Sequence, residues 1–276
     1  MKRNSKLFGI LLFSSLAITS LSFALNKPSV EVNAIYSPST TYTTGDAATY
    51  YSSIDSSSSG DTLLTALRNL NLSKRKSTVG YDAMGTSASS SAYIYTDYDP
   101  STVKTDSNGQ PYGTSILSFY SGTSTTSWNR EHVWPNSRGG GSKGSTGAPY
   151  IDADIYMPRP TIAAENSNRG NSEYIEGMSH SSNGWDPVTA FGEDGCYQGL
   201  NIRGECARII FYCMTVNANL TLDEGSGSNG TNMGKLSDLL KWNLLYPVNE
   251  RERNRQEGGQ YLQLNNSLSS LTSSES

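Results

Sequence analysis

Residues 127–138, SWNREHVWPNSR, gather more chemically capable side chains than any other stretch of the chain. The run holds His132, one of only two histidines, directly after Glu131, with Arg130 and Arg138 to either side and Trp128 and Trp134 as aromatic neighbours. On an extended segment successive side chains point to opposite faces, so Glu131 can hold a metal while His132 faces a substrate. That division suits phosphodiester hydrolysis. An imidazole takes a proton from water, and a hard divalent cation on oxygen ligands offsets the charge that builds on the phosphate. The same pair also has a purely structural use, as a histidine packed among aromatics and paired with its neighbouring carboxylate.

A second polar run follows. Residues 154–161 read DIYMPRPT and residues 163–171 read AAENSNRGN. Thr161 can cap a short helix over 162–168 that Gly170 closes, and the amides at its end can set an oxygen opposite Glu131 and His132. Solvated amides at a helix C-terminus would have the same sequence. His180 lies in SHSSNGW, a loop composition that reads as a surface histidine. The glycine-rich residues 139–145 lack the Gly-Lys-Ser/Thr order of a phosphate loop, and neither His-Glu-x-x-His nor Gly-x-Ser-x-Gly before a helix occurs. With two histidines and three cysteines, a site of three or four histidine ligands and an all-cysteine zinc cage are both excluded.

Several elements must position these residues. Leu63, Leu64, Leu67 and Leu70 form the stripe of an amphipathic helix that Asp61 would cap. Residues 93–96 and 116–120 read as short strands, and 203–215 and 235–245 as longer helices. Helices and strands mix without βαβ alternation, so the expected class is α+β with short antiparallel strands. Cys206 and Cys213 stand seven residues apart on one helix, about 10 Å by helical rise and beyond disulfide reach. Buried or free thiols are therefore the reading, with Cys196 the one partner through which a single bridge could form.

The 276 residues carry a net charge of −4, which argues against coating nucleic acid through bulk positive charge but leaves a local site open. Residues 1–24 have a basic start, an apolar middle and small residues before Ala24, the build of a secretory signal. Its removal takes away Lys2, Arg3 and Lys6 and no acid, moving the net charge from −4 to −7. The domain reading is residues 1–34 as signal peptide and start of a linker, with cleavage after Ala24 or Ala34. A polar linker follows over 35–48, an ordered domain over 49–262 and a disordered Ser-rich tail over 263–276.

The strand bearing Glu131 and His132, the glycine-rich connection and the helix bearing Asn166 together resemble the ββα-metal (His-Me finger) nuclease site. More specifically, they resemble the endonuclease I family of secreted and periplasmic bacterial nucleases. EHVWP followed by NSNRGN is the most specific signal; YSG at 120–122, RGECARIIFY at 203–212 and residues 239–254 extend the likeness over roughly 60–254. The resemblance implies His132 as general base, and Glu131 and Asn166 as ligands of a Mg²⁺-type ion, with Mn²⁺ or Ca²⁺ as alternatives. It implies DNA, with RNA as a second candidate substrate, cut internally to 5′-phosphate ends. Arg169 is a catalytic candidate beside them, and Arg130, Arg138, Arg159 and Asn171 are candidate contacts to substrate phosphates.

Two departures stand out. Where relatives have Asp-Leu-His-His, this chain has Asp154, Ile155, Tyr156 and Met157, and Tyr156 is expected to take over packing or hydrogen bonding. The family's closing segment is replaced by Gly258, Gly259, Gln260, Tyr261 and Leu262. The resulting expectation is a secreted, monomeric endonuclease of low sequence specificity, free of the membrane after signal cleavage. Its activity should fall below an imidazole pKa of about 6.5. The alternatives are an exported binding or adhesin module on an inactive nuclease-like fold, and an unrelated hydrolase using His180 with a nearby serine.

Overall fold

A computed structural model describes residues 50–265, except 56, 75–78, 140–150, 181–183, 193–200 and 225–229. The expected signal, linker and tail, most of the glycine-rich run and Cys196 lie outside the described residues. The leucine stripe forms α1 (Gly60–Lys74) and buries Leu63, Leu67 and Leu70, with Asp61 inside the first turn rather than capping it. Helix α2 (Tyr93–Thr96) stands where a strand was expected. Ser91 accepts the Tyr93 backbone N–H at 3.1 Å, a local bond that favours a helical turn over an extended strand. The next expected strand is shorter than predicted. Only β3 (Ile116–Leu117) pairs, antiparallel with β4 (Ser124–Thr125), and the chain then turns so that the Phe119 N–H reaches the Pro160 carbonyl at 2.9 Å.

The remaining strands divide by pairing. Antiparallel ribbons join β1 (Val103–Thr105) to β2 (Pro111–Gly113) and β5 (Asn129–His132) to β6 (Pro158–Thr161). A four-stranded sheet in the order β8 (Gly184–Trp185), β7 (Glu173–Tyr174), β10 (Asn232–Lys235), β9 (Thr221–Asp223) is parallel throughout. The α+β class is thus as expected, while the parallel sheet was not foreseen, its strands being too short for a periodic signal. Beside α4 (Pro187–Phe191) lie α5 (Arg203–Val216) and α6 (Leu236–Leu245), close to the ranges expected for the two longer helices. Helix α5 is buried on nearly every face, packed against α1 and α6, with Trp134, Trp185, Trp242 and Tyr174 in the same core. Cys206 and Cys213 are buried on it and are not joined in a disulfide. No described helix is long and apolar enough to cross a membrane.

The replaced closing segment lies within a helix, α7 (Glu250–Asn265), which packs against α2. Gly258 and Gly259 make that approach possible. A Cβ on Gly258 would stand 2.2 Å from the Tyr95 carbonyl oxygen, and one on Gly259 would stand 2.8 Å from the Tyr156 ring. Tyr156 therefore serves in packing, against α7 and edge-on to Tyr212. Buried ion pairs hold the same helix: Arg255 with Asp97 at 3.1 Å and Arg251 with Glu205 at 3.7 Å. Alanine for glycine inside a helix ordinarily stabilises by about 1 kcal/mol. Here Gly258→Ala should instead destabilise by about 1–3 kcal/mol, because the methyl meets backbone that cannot swing aside. A urea midpoint equal to or above that of the parent would show that the α2–α7 contact is looser than this.

Candidate active site

The register of the β5–β6 ribbon sets Glu131 opposite Arg159 and His132 opposite Pro158, and α3 (Ala163–Arg169) follows β6 directly and packs back on β5. Helix α3 is fastened on both sides of Asn166. Glu165 is buried and accepts the Ser118 hydroxyl at 2.6 Å and the Thr161 hydroxyl at 2.7 Å. Thr161 is thus the last residue of β6 and a donor to Glu165, rather than the helix cap expected of it; Ile162 precedes the helix without a side-chain cap. At the other end Asn168 accepts the Trp185 indole N–H at 2.8 Å, and Gly170 closes the helix with φ of 57°.

Arg169 completes the fastening. Its guanidinium is buried and donates to the His132 carbonyl at 3.1 Å and the Val133 carbonyl at 2.7 Å, while lying 3.4 Å from Glu131 Oε1. It borders the cavity as well as fastening α3 to the end of β5. Glu131 is likewise buried, and Oε1 accepts the Tyr120 hydroxyl at 2.8 Å. Burial pushes the Glu131 carboxyl pKa upward, against the opposing pull of Arg169 and the Tyr120 hydrogen bond.

Beside these groups lies a cavity of about 280 Å³, bordered by Arg130, Glu131, His132, Asn136, Ser137, Asn166, Arg169, Gly170 and Asn171. Six of the eight site residues read from sequence therefore meet here, and Glu131 and His132 border one cavity although they alternate along the strand. Arg138 and Arg159 are not among the residues that line the cavity. Arg138 donates to the Asn171 carbonyl at 2.6 Å and to Glu173 at 2.9 Å, clamping the segments around β7. Arg159 is buried, bonded to the Tyr156 carbonyl at 2.9 Å and paired with Glu205 at 3.5 Å, its pKa pressed down to about 10 by desolvation. Arg138 satisfies acceptors far away in sequence, whereas Arg159 bonds carbonyls within four residues of itself and finds only its ion-pair partner, Glu205, at a distance. Asn136, Ser137 and Tyr81 were not singled out by sequence. Tyr81 lies under the Arg130 guanidinium, 3.7 Å from ring centre to Cζ, and 5.4 Å from the His132 ring. His180 is exposed, as expected, but leans on Gly170 at the cavity's edge, with Nδ1 3.3 Å from the Ser172 hydroxyl.

His132 turns one ring nitrogen to the backbone and leaves the other unpartnered. The ring hydrogen-bonds the Arg130 backbone, a bond that favours the protonated ring, and Nε2 is buried without a partner. Nδ1 therefore carries the proton to that backbone and leaves the Nε2 lone pair free. Burial, with smaller repulsion from Arg130 and Arg169, pushes the pKa down to about 4, so the ring stays neutral well below the ordinary imidazole range. The unfolded chain binds this proton at about 6.5. Between those values the unfolded state holds more protons, so stability present above about 6.5 is lost as pH falls toward 4. In metal-free protein the His132 Cε1 resonance should titrate near 4 by NMR, and His132→Gln should flatten the fall in urea midpoint across that window. A midpoint near 6.5 would contradict this assignment.

The extracellular ribonuclease of Bacillus amyloliquefaciens is 35% identical over 144 residues, covering 49% of this chain and 47% of the relative. That of Bacillus subtilis (strain 168) is 35% identical over 140 residues, covering 47% and 46%. The chain spans about half the length of the curated relatives it matches. No solved structure gives a significant match. A family model described as Endonuclease I matches residues 59–267, a span that holds the β5–β6 ribbon, α3 and every residue of the cavity. By that match the chain belongs to the endonuclease I family.

Proposed function

We propose that this protein is a secreted, divalent-metal-dependent endonuclease that hydrolyses phosphodiester bonds of DNA and RNA with low sequence specificity. The observation that carries the reading is the buried, unpartnered Nε2 of His132 on a cavity also bordered by Glu131 and Asn166. Family membership supports nuclease chemistry, and the two extracellular ribonucleases of Bacillus support RNA as one substrate and export as the destination. Among the described residues no group of three or more His, Cys, Asp or Glu side chains gathers to hold a metal. The donor set is instead one carboxylate and one amide, two hard oxygens whose chemistry fits a Mg²⁺-type ion that keeps most of its shell for water and phosphate. When bound, such an ion supplies positive charge to the phosphate and to the departing oxygen.

The chain's own groups do the rest. Nε2 of His132 takes a proton from water as the water oxygen attacks phosphorus; the bond to the 3′ oxygen breaks, and that oxygen leaves as a hydroxyl with a solvent proton. The products are 3′-hydroxyl and 5′-phosphate ends. Arg130, the cavity-lining guanidinium outside the Glu131–Arg169 pair, contacts a non-bridging phosphate oxygen, which positions the strand without reading bases. With the His132 pKa near 4, the base is available at mildly acidic pH, lower than an unperturbed histidine allows.

Purified mature protein should cut supercoiled plasmid and ribosomal RNA with Mg²⁺ or Mn²⁺ and not with chelator, as a monomer by size-exclusion chromatography. His132→Ala should lower kcat by about 10²–10⁴-fold, the usual contribution of a general base. Retained cleavage in His132→Ala would remove the proposed base, and no cleavage by the parent with any divalent ion would favour a binding module on the same fold.

A further inference from the structure

Two tyrosines lie beneath the cavity that the proposed reaction does not use. Tyr120 and Tyr174 are completely buried, with Tyr120 edge-on to Trp185 at 4.8 Å and Tyr174 under the Arg169 guanidinium at 5.0 Å. Their hydroxyl oxygens are 2.9 Å apart, and the Tyr120 hydroxyl is 2.8 Å from Glu131 Oε1. A carboxylate only accepts, so the Tyr120 proton points to Glu131, and Tyr174 must then donate to the Tyr120 oxygen. The result is a directed chain of donors, Tyr174 to Tyr120 to Glu131, in a place that excludes water.

This chain and Arg169 both act on one oxygen. Oε1 accepts the Tyr120 bond and faces Arg169 at 3.4 Å, whereas Oε2 has no bond among the described residues. Rotating the carboxylate to offer both oxygens at once would break the Tyr120 bond inside the core, where an unsatisfied donor is costly. Ca²⁺ takes many oxygens in a flexible shell and readily uses a carboxylate through both; Mg²⁺ demands an octahedron and uses one. Resting on the reading of Glu131 as a ligand, we infer that Tyr120, backed by Tyr174, fixes Glu131 as a one-oxygen donor and so makes the site select Mg²⁺ or Mn²⁺ over Ca²⁺. Tyr120 is on this view a positioning residue that meets neither ion nor substrate.

Calorimetric titration of the metal-free mature protein with MgCl₂, MnCl₂ and CaCl₂ tests this, comparing the parent with Tyr120→Phe, Tyr174→Phe and Glu131→Gln. The parent should bind Mg²⁺ and Mn²⁺ more tightly than Ca²⁺. Tyr120→Phe should weaken Mg²⁺ and Mn²⁺ by about 10–100-fold, the usual effect of removing an outer partner of a metal ligand, and weaken Ca²⁺ less. Tyr174→Phe should shift the Mg²⁺-to-Ca²⁺ ratio the same way by a smaller factor, and it supplies the test if Tyr120→Phe fails to fold. A tyrosine that merely packs would lower the urea midpoint and leave that ratio alone, so an unchanged ratio in both variants overturns the inference, as does a parent that prefers Ca²⁺. If Glu131→Gln binds all three ions like the parent, or the parent binds none, the ligand reading itself fails. If Glu131→Gln loses them while both tyrosine variants keep the parent ratio, only the selectivity inference fails.

Discussion

A guanidinium and a carboxylate that are both withdrawn from water must satisfy each other and every remaining polar atom nearby, and Arg169 and Glu131 are placed under that demand at the centre of the site. Removing one charge of such a buried pair typically costs about 3–5 kcal/mol, because the other is left without compensation. The pair therefore does more than neutralise. Arg169 belongs to α3 and donates also to the carbonyls of His132 and Val133, bonds that lock the helix to the end of β5. The backbone of His132 is held by the same side chain that offsets Glu131, which couples the placement of the imidazole to that of the carboxylate.

Helical geometry then isolates Asn166. Residues 165, 168 and 169 fall at i, i+3 and i+4 and share one side of α3, the side that meets Ser118, Trp185 and β5. Asn166 is rotated about 100° from Glu165 and reaches the cavity instead. A helix of seven residues has little intrinsic stability, so its order comes from those anchors. The acidic Glu165 in the first turn adds a favourable charge at the helix N-terminus while its Oε2 holds both Ser118 and Thr161. In this way a polar run that reads as a frayed helix end becomes a rigid presentation of a single amide.

The parts of this arrangement legible in sequence are those whose signal is local. Glu131 and His132 are adjacent, Asn166 sits in a compact polar run, and the leucine stripe of α1 repeats at helical spacing. What escaped is set by distant partners. Nothing near Arg159 in the chain announces Glu205, and nothing near Arg138 announces Glu173, so surface arginines and buried clamps look alike until the fold is known. Tyr120 and Tyr174 are 54 residues apart, and Tyr81 precedes its neighbour Arg130 by 49. The turn at residues 93–96 was missed for a related reason: Ser91, outside the apparent strand, decides its conformation. The packing role of Gly258 was not visible in the local sequence, because the backbone it accommodates, at Tyr95, lies on another helix.

The same distinction bears on how an acidic chain would act on the anionic substrate of the proposed reading. The net charge of −4 counts arginines that are already matched: Arg159 and Arg251 by Glu205, Arg255 by Asp97, Arg138 by Glu173 and Arg169 by Glu131. Among the described residues at the cavity, Arg130 has no carboxylate partner; it is held by the Tyr81 ring and carbonyl, which leaves its charge to act outward. One outward guanidinium gives weak electrostatic hold on a polyanion, and salt cations competing for the same phosphates weaken it further. On the proposed reading the missing positive charge arrives with the metal, so substrate affinity and chemistry both depend on the same two oxygens, those of Glu131 and Asn166. An enzyme built this way needs no basic surface to act on nucleic acid, and its acidity limits how long it stays bound once the ion has left.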